Sequence, residues 1–382
     1  MRWLLWPLTG LLLGGCGLMG FGDEDEGPQP AELTEFPATL PVTRAWSADC
    51  GAGSGEAQLK LALVSDGERL FCADHEGRVA AFSIDDGRAL WRVETELPVS
   101  GGPGVGAGRV VVGSANAWIA ALDAADGAEL WRARVSSEVL ARPAIGATVV
   151  AVQTADGRLA THDADSGQRL WYFDTSVPAL SLRGTSPPLI ADDQVIAGFA
   201  NGKLAAFAER DGRQLWEAAI ALPRGRSELD RMVDIDAPPV LRGDTLYAVA
   251  YQGRVAALAS RSGTLLWARE FSSSSGLDVS RERIFIVDAE DHVWAIDRDG
   301  GASYWRQEGL QYRKLSAPAI VGDSVVVGDL EGYLHFLDTS DGRLVARLKA
   351  GSGPILGAPL VRGDTVYALM ASGELVAVKV GG

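Results

Sequence analysis

The chain has 382 residues, 47% of them hydrophobic, and a formal net charge of −15 at pH 7. A chain of this length and composition can bury a large core. Its acidity argues against nucleic acid or an anionic lipid surface as partner, because like charges repel.

The N-terminal segment has the features of a processing signal. Arg2 supplies a positive charge, an apolar run follows, and residues 13–16, Leu-Gly-Gly-Cys, resemble a bacterial lipobox. We predict a lipoprotein signal peptide over residues 1–15 and lipidation of Cys16. The alternative is an ordinary secretory signal with an incidental cysteine. In similar lipoproteins an aspartate after the cysteine favours the inner membrane, so Gly17 favours the outer membrane, facing the periplasm.

Residues 16–41 are predicted to form a flexible, lipidated tether. Four consecutive acidic residues at 23–26 and four prolines between positions 28 and 41 argue against packing. We interpret this stretch as a solvated spacer rather than as an interaction tail.

The remainder of the chain repeats one pattern, a glycine followed four positions later by a tryptophan. A seventh copy has Ala346 in the tryptophan position, and Trp46 is an eighth tryptophan without an upstream hairpin. Successive positions are 38 to 51 residues apart, and each unit contains about four short alternating strands. The six complete pairs are Gly87/Trp91, Gly127/Trp131, Gly167/Trp171, Gly212/Trp216, Gly263/Trp267 and Gly301/Trp305.

This period is typical of a propeller blade, and helical repeats are excluded because runs of period 3.6 are missing. Residues 42–382 are therefore predicted to be an all-β, eight-bladed β-propeller of four-stranded antiparallel blades. The N-terminal strand around Trp46 should complete the last blade and close the ring. We expect each repeated tryptophan to pack against the next blade, with its N–H on a backbone carbonyl. Eight separate ligand-stacking sites are the alternative.

Candidate groups for catalysis or metal binding are scattered. The four histidines lie in four different units without metal-ligand spacing, and most carboxylates fall in the repeated turns. No nucleophile–base pair stands out. Cys50 and Cys72 both lie near the ring closure, and an oxidising compartment permits a disulfide between them. The sequence does not give the Cα separation that would decide this.

Two neighbouring units carry long loops at equivalent places, after the tryptophan strand. Equivalent connections emerge on one face of a propeller, so residues 177–187 and 223–239 should share a surface. The first loop contains Leu180, Leu182 and Arg183, and the second contains Asp234 and Asp236. Exposed leucines beside an arginine, with carboxylates nearby, favour a protein-binding patch. Long loops with nothing bound are the alternative.

Together, these features resemble the BamB family of lipoproteins from the outer-membrane β-barrel assembly machinery. The most specific matches are LSLRG at 180–184 and ELDRMVDIDAPP at 228–239. The resemblance implies a non-catalytic scaffold that docks the BamA subunit and assists unfolded outer-membrane proteins. It also implies that the leucines, the arginine and the two aspartates named above contact BamA.

Two other functions fit the same architecture. Quinoprotein dehydrogenases are similar Trp-marked propellers that use pyrroloquinoline quinone and calcium. They commonly carry adjacent cysteines, which are missing here, and no calcium cluster is evident in the sequence. A periplasmic propeller that binds a glycan or a peptide at its axis is the third candidate. We predict no cofactor.

Overall fold

The computed structural model describes residues 28–178, 180, 185–223, 226–227, 229, 232–381. Thirty-two strands, β1–β32, form eight four-stranded antiparallel sheets. The predicted eight-bladed propeller is confirmed. The described part of the chain contains no helix long and apolar enough to cross a membrane.

Blades 1 to 4 follow one another along the chain, and each takes four consecutive strands from the inside to the outside of the ring. Their strands are β2–β5 (Val64–Ser65, Arg69–Ala73, Arg78–Ser83, Ala89–Glu94), β6–β9 (Val99–Gly106, Arg109–Ser114, Trp118–Asp123, Glu129–Arg134), β10–β13 (Ala144–Ile145, Val149–Gln153, Arg158–Asp163, Arg169–Asp174) and β14–β17 (Leu189–Ala191, Gln194–Gly198, Lys203–Ala208, Gln214–Ala219).

Blades 5 to 7 repeat this order, and blade 8 takes its outermost strand from the N-terminus. Their strands are β18–β21 (Val240–Arg242, Thr245–Val249, Gly253–Ala259, Leu265–Phe271), β22–β25 (Leu277–Val279, Arg283–Val287, Val293–Asp297, Ser303–Gln307), β26–β29 (Ala319–Val321, Ser324–Gly328, Tyr333–Asp338, Leu344–Lys349) and β30–β32 with β1 (Leu360–Arg362, Thr365–Leu369, Glu374–Val380, Val42–Asp49).

Ring closure depends on β1, as predicted. This strand pairs antiparallel with β32 from Val42 opposite Val380 to Asp49 opposite Glu374. The chain then crosses from blade 8 to blade 1, where Cys50 and Cys72 form a disulfide with a Cα–Cα distance of 6.3 Å. The sequence left this bond undecided. Both half-cystines are buried, so the covalent link lies inside the joint between the first and last blades.

The hydrophobic core lies between blades rather than inside a single sheet. One cluster, for example, joins Phe71 and Val79 of blade 1 to Val110 and Ala120 of blade 2. The two central strands of a blade are buried on both faces, which explains their continuous Val, Ile, Ala and Leu content. The outer strand of blade 1 alternates between partly buried and exposed residues.

The repeated glycine and tryptophan form one contact across every blade interface except the one between blades 7 and 8. Trp91 Nε1 donates to the carbonyl of Ala124 in the next blade at 3.1 Å, as expected. Gly127 of that next blade lies against the same indole and has φ +79°; a Cβ there would be 2.8 Å from Trp91 Cε3. The glycine therefore supplies both the left-handed turn and the space for the ring. The other five donor–acceptor pairs are Trp131–Ala164, Trp171–Glu209, Trp216–Ser260, Trp267–Arg298 and Trp305–Thr339.

The missing seventh tryptophan has a structural explanation. In blade 8 the outermost strand comes from the other end of the chain, so no glycine hairpin connects it to its neighbour β32. A tryptophan at position 346 would therefore lack its usual glycine partner. Ala346 is instead buried beside Leu40 and Val42.

Residues 31–40, here called the N-terminal strap, lie along blade 7. The amide nitrogens of Thr39 and Leu40 donate to the carbonyl of Val345, at 2.9 and 3.1 Å. Arg313 Nη1 donates to the carbonyl of Ala31 at 2.9 Å, and Arg347 Nη1 donates to that of Thr34 at 3.1 Å. The tether was expected to be a solvated spacer throughout residues 16–41. The strap, which is part of this tether, instead packs against blade 7, because distant arginines donate hydrogen bonds to its backbone carbonyls.

Candidate docking site

The two loops predicted to form the docking site connect neighbouring blades. Residues 175–188 join β13 to β14, and residues 220–239 join β17 to β18. Both run from the outer strand of one blade to the inner strand of the next, so they emerge on the same face of the ring. The connection between β1 and β2, residues 50–63, is as long as the first loop and was not predicted from the sequence.

The described parts of the two predicted loops are in contact. Ser186 Oγ donates to the carbonyl of Ala237 at 3.0 Å, and this hydrogen bond is buried. Ile235 packs against Gly198, where a Cβ would be 2.4 Å from Ile235 Cγ2. The second loop therefore rests on blade 4 as well as on the first loop, and the structure brings them together as the sequence predicted.

The two aspartates occupy different environments. Asp234 is 1% exposed, and its carbonyl accepts a hydrogen bond from the amide of Tyr251 at 2.8 Å. This bridge fixes the second loop to blade 5. Asp236 lies two residues further on and lines the channel at the centre of the ring. Burial raises the pKa of Asp236 to about 6, although the positive charge of Lys60 partly opposes this rise.

The predicted leucine–arginine motif is described only at Leu180, whose side chain is 46% exposed. Leu182 and Arg183 lie outside the described residues. Three further apolar side chains on the same loops are exposed and were not singled out from the sequence. These are Val177, Leu222 and Leu229, exposed by 37%, 53% and 62%. The sequence could have indicated them, because each is an apolar residue within a segment already predicted to be a long loop.

The described residues contain no group of three or more histidine, cysteine, aspartate or glutamate side chains that could hold a metal ion. The histidines instead have local partners, as in the bond between His292 Nδ1 and Asp288 Oδ2 at 2.9 Å. The cysteine pair Cys50–Cys72 links two blades.

Sequence comparison matches the chain to proteins that share one description. The family model for outer membrane protein assembly factor BamB matches residues 75–307 and 309–381. A relative from Pseudomonas aeruginosa with this name is 53% identical over 351 residues, covering 92% of each chain. The chain belongs to the BamB family.

Solved structures agree with this assignment. The crystal structure of BamB from Moraxella catarrhalis has a TM-score of 0.82 and 27% identity, covering 89% of this chain and 100% of that one. The quinohemoprotein alcohol dehydrogenase from Comamonas testosteroni has a TM-score of 0.70 at 13% identity, covering 89% of this chain and 77% of that one. The second likeness concerns the propeller fold alone.

Proposed function

We propose that this chain is a non-catalytic scaffold of the outer-membrane protein assembly machinery and docks the BamA subunit through residues 177–187 and 223–239. Family membership supports the assembly role. The docking role rests on one observation: four apolar side chains are exposed in the described parts of two adjoining loops on one face. These are Val177, Leu180, Leu222 and Leu229. Apolar side chains at this exposure gain most from a partner that removes them from water.

Within this surface, Leu180 and Leu182 act as apolar anchors, and Arg183 hydrogen-bonds a carboxylate or a backbone carbonyl of BamA. Asp234 is buried, and in this proposal it contributes to docking by positioning the second loop. Asp236 lines the axial channel. Unfolded outer-membrane proteins would be the substrates of this assembly machinery.

We further propose that residues 1–15 are removed and that a lipid on Cys16 anchors the propeller to the outer membrane, facing the periplasm. The basis is the lipobox-like sequence, which lies outside the described residues. Cys16→Ser should move the protein from the membrane fraction to the soluble periplasmic fraction. Retention of this variant on membranes in high salt would contradict a lipid anchor.

The docking proposal is tested by the affinity of the purified chain for the periplasmic part of BamA. An arginine at an interface centre contributes about 2 kcal/mol or more. Arg183→Glu should therefore weaken binding roughly thirtyfold or more at that energy. Arg210→Glu is the matched control, because Arg210 is exposed on a turn of blade 4 away from these loops. Thermal unfolding of both variants should match that of the parent.

A second pair of variants separates apolar anchoring from general surface hydrophobicity. Leu180 and Leu170 have nearly equal exposure, 46% and 47%, but Leu170 lies on the outer strand of blade 3. Leu180→Ala should weaken BamA binding, and Leu170→Ala should leave it unchanged. Equal affinities for Arg183→Glu, Leu180→Ala and the parent, in folded variants, would remove the docking assignment.

A further inference from the structure

Below the N-terminal strap, blade 7 contains a buried network of charged and polar side chains. Asp329 and His335 are fully buried, and Arg313 is 4% exposed. His335 Nε2 lies 2.9 Å from Asp329 Oδ2, and Arg313 Nε donates to the same oxygen at 2.9 Å. Arg313 Nη1 in turn donates to the carbonyl of Ala31 in the strap. The network therefore joins the strap to the interior of blade 7.

Arg347 makes a second connection to the strap, and this one depends on the same histidine. Its Nη1 donates to the carbonyl of Thr34 at 3.1 Å, and its guanidinium carbon lies 5.0 Å from the centre of the Phe36 ring. Its Nε donates to His335 Nδ1 at 3.2 Å. An arginine nitrogen can only donate, so Nδ1 is the nitrogen without a proton, and Nε2–H donates to Asp329. The hydrogen bonds thus assign the neutral form to His335.

The charges around His335 balance only while the imidazole is neutral. Three cations and three carboxylates belong to the network or adjoin it: Arg313, Arg347, Lys349, Asp329, Glu331 and Glu35. The Tyr333 ring, whose centroid is 6.1 Å from that of the imidazole, is uncharged near neutral pH. Burial lowers the pKa of His335 below its ordinary value of 6.5, and the neighbouring arginines lower it further, although the Asp329 carboxylate opposes them.

Blade 6 has the same arrangement built on a side chain that cannot take up a proton. Trp294 is opposite Arg306 in the neighbouring strand, as His335 is opposite Arg347. Trp294 Nε1 donates to Asp288 Oδ2 at 2.7 Å, the role that His335 Nε2 has in blade 7. An indole has one nitrogen, so Arg306 instead contacts the ring face, with its guanidinium carbon 5.1 Å from the ring centre. The second imidazole nitrogen therefore distinguishes the blade that the strap covers.

We propose that His335 is a proton-operated latch for the N-terminal strap. While the imidazole is neutral, its Nδ1 holds Arg347, which in turn holds the strap at Thr34 and Phe36. A proton on Nδ1 displaces the guanidinium, because two N–H groups would face each other and their positive charges repel. The strap then loses its middle attachment and detaches from blade 7 more often. This inference does not rest on the docking function, since the latch contains none of the docking loop residues.

Proton linkage gives the direction of the effect. The detached state binds the additional proton, because the departure of Arg347 removes the repulsion, so acid favours detachment. Each pH unit below the titration of His335 in the detached state should raise the detached fraction up to about tenfold. Burial works against the ionised form of Asp329, but hydrogen bonds from His335, Tyr333 and Arg313 lower its pKa to about 2. The Asp329 carboxylate therefore stays ionised while His335 titrates.

Hydrogen–deuterium exchange of the purified full chain between pH 7.5 and pH 5 tests the latch. The readout is the protection of the amides of Ala31, Thr39 and Leu40, which donate to carbonyls outside the strap. Each rate is divided by that of an unstructured strap peptide at the same pH, because exchange chemistry itself depends on pH. Strap protection should fall about tenfold or more over this range. The strand Thr245–Val249 of blade 5 should keep its protection, which separates detachment of the strap from global unfolding.

Three variants assign the effect to the latch. His335→Gln can donate to Asp329 and accept from Arg347 without titrating, so its strap should stay protected throughout. This variant retains the neighbouring carboxylates, so any pH effect of theirs would persist in it. Arg347→Gln should reduce strap protection about tenfold at pH 7.5, since a hydrogen bond to a charged group is lost, and little pH dependence should remain. Arg306→Gln, the control at the equivalent position in blade 6, should match the parent.

Three results would each overturn the latch. These are strap protection in the parent that is unchanged between pH 7.5 and pH 5, an equal loss of protection in His335→Gln, and full protection in Arg347→Gln at pH 7.5. If His335→Gln does not fold, the parent and Arg347→Gln decide the matter, because the proposal requires a pH response in the first and its loss in the second.

Discussion

Replacing Gly127 with alanine tests the glycine–tryptophan contact that recurs at the blade interfaces. Gly127 has φ +79°, and an added Cβ would be 2.8 Å from Trp91 Cε3 and 2.9 Å from Val93 Cγ1. The left-handed conformation costs an ordinary residue about 1–2 kcal/mol. Overpacking against the neighbouring side chains costs about 1–3 kcal/mol more. Gly127→Ala should therefore lower the free energy of unfolding by about 2–5 kcal/mol.

Gly108→Ala is the matched control for the backbone cost. Gly108 has φ +75°, and no atom lies within 4 Å of the position that an added Cβ would occupy. Only the conformational cost of about 1–2 kcal/mol should apply there. Urea unfolding of both variants, followed by tryptophan fluorescence, gives the difference between them. That difference measures the overlap with the indole and with Val93.

A second substitution identifies the indole as the obstacle. Trp91→Leu removes the ring and should itself destabilise the protein, but adding Gly127→Ala to it should cost less than in the parent. We expect a coupling energy of about 1 kcal/mol or more, as is typical of residues in contact. Equal destabilisation by Gly127→Ala and Gly108→Ala, or strict additivity with Trp91→Leu, would refute the explanation of the repeat.

Two further predictions concern the ring closure and the axial channel. The double variant Cys50→Ala/Cys72→Ala should lower the free energy of unfolding by about 3 kcal/mol, because the disulfide no longer restricts the unfolded chain. Urea titrations under non-reducing conditions measure this change, and a free energy of unfolding equal to that of the parent would contradict a stabilising disulfide. Asp236 has a folded-state pKa of about 6, above its ordinary value of 3.8, so its ionised form costs stability above pH 6. Asp236→Asn should therefore raise the thermal midpoint at pH 8, with the gain disappearing as pH falls through 6 towards 4, and a gap independent of pH would count against this assignment.

The fold could be predicted because one interface recurs. The indole of Trp91 needs a glycine in the next blade, so each interface leaves the same pair of residues in the sequence at nearly constant spacing. The ring closure was also predictable, because Trp46 has a strand context without its own hairpin. These signals are local and repeated, which allows them to be recognised without coordinates.

The remaining features depend on contacts between distant parts of the chain. The composition of the strap is typical of a spacer, and its packing depends on Arg313 and Arg347, which lie 282 and 313 residues from their partners in the strap. Asp234 has the appearance of a surface loop residue in sequence, yet the bridge to Tyr251 draws it inside.

The strap also sets how far the propeller could lie from the proposed lipid anchor. With that lipid on Cys16, the leash, meaning the chain between Cys16 and Ala31, is 15 residues long and spans at most about 50 Å when fully extended. Were the strap detached, the leash would run 26 residues to Val42 and reach about 90 Å. Shortening the leash reduces the accessible volume about fivefold and raises the effective concentration at the membrane by the same factor. Blade 7 thereby becomes the point of attachment, and the propeller would meet its membrane partners from a restricted distance and side.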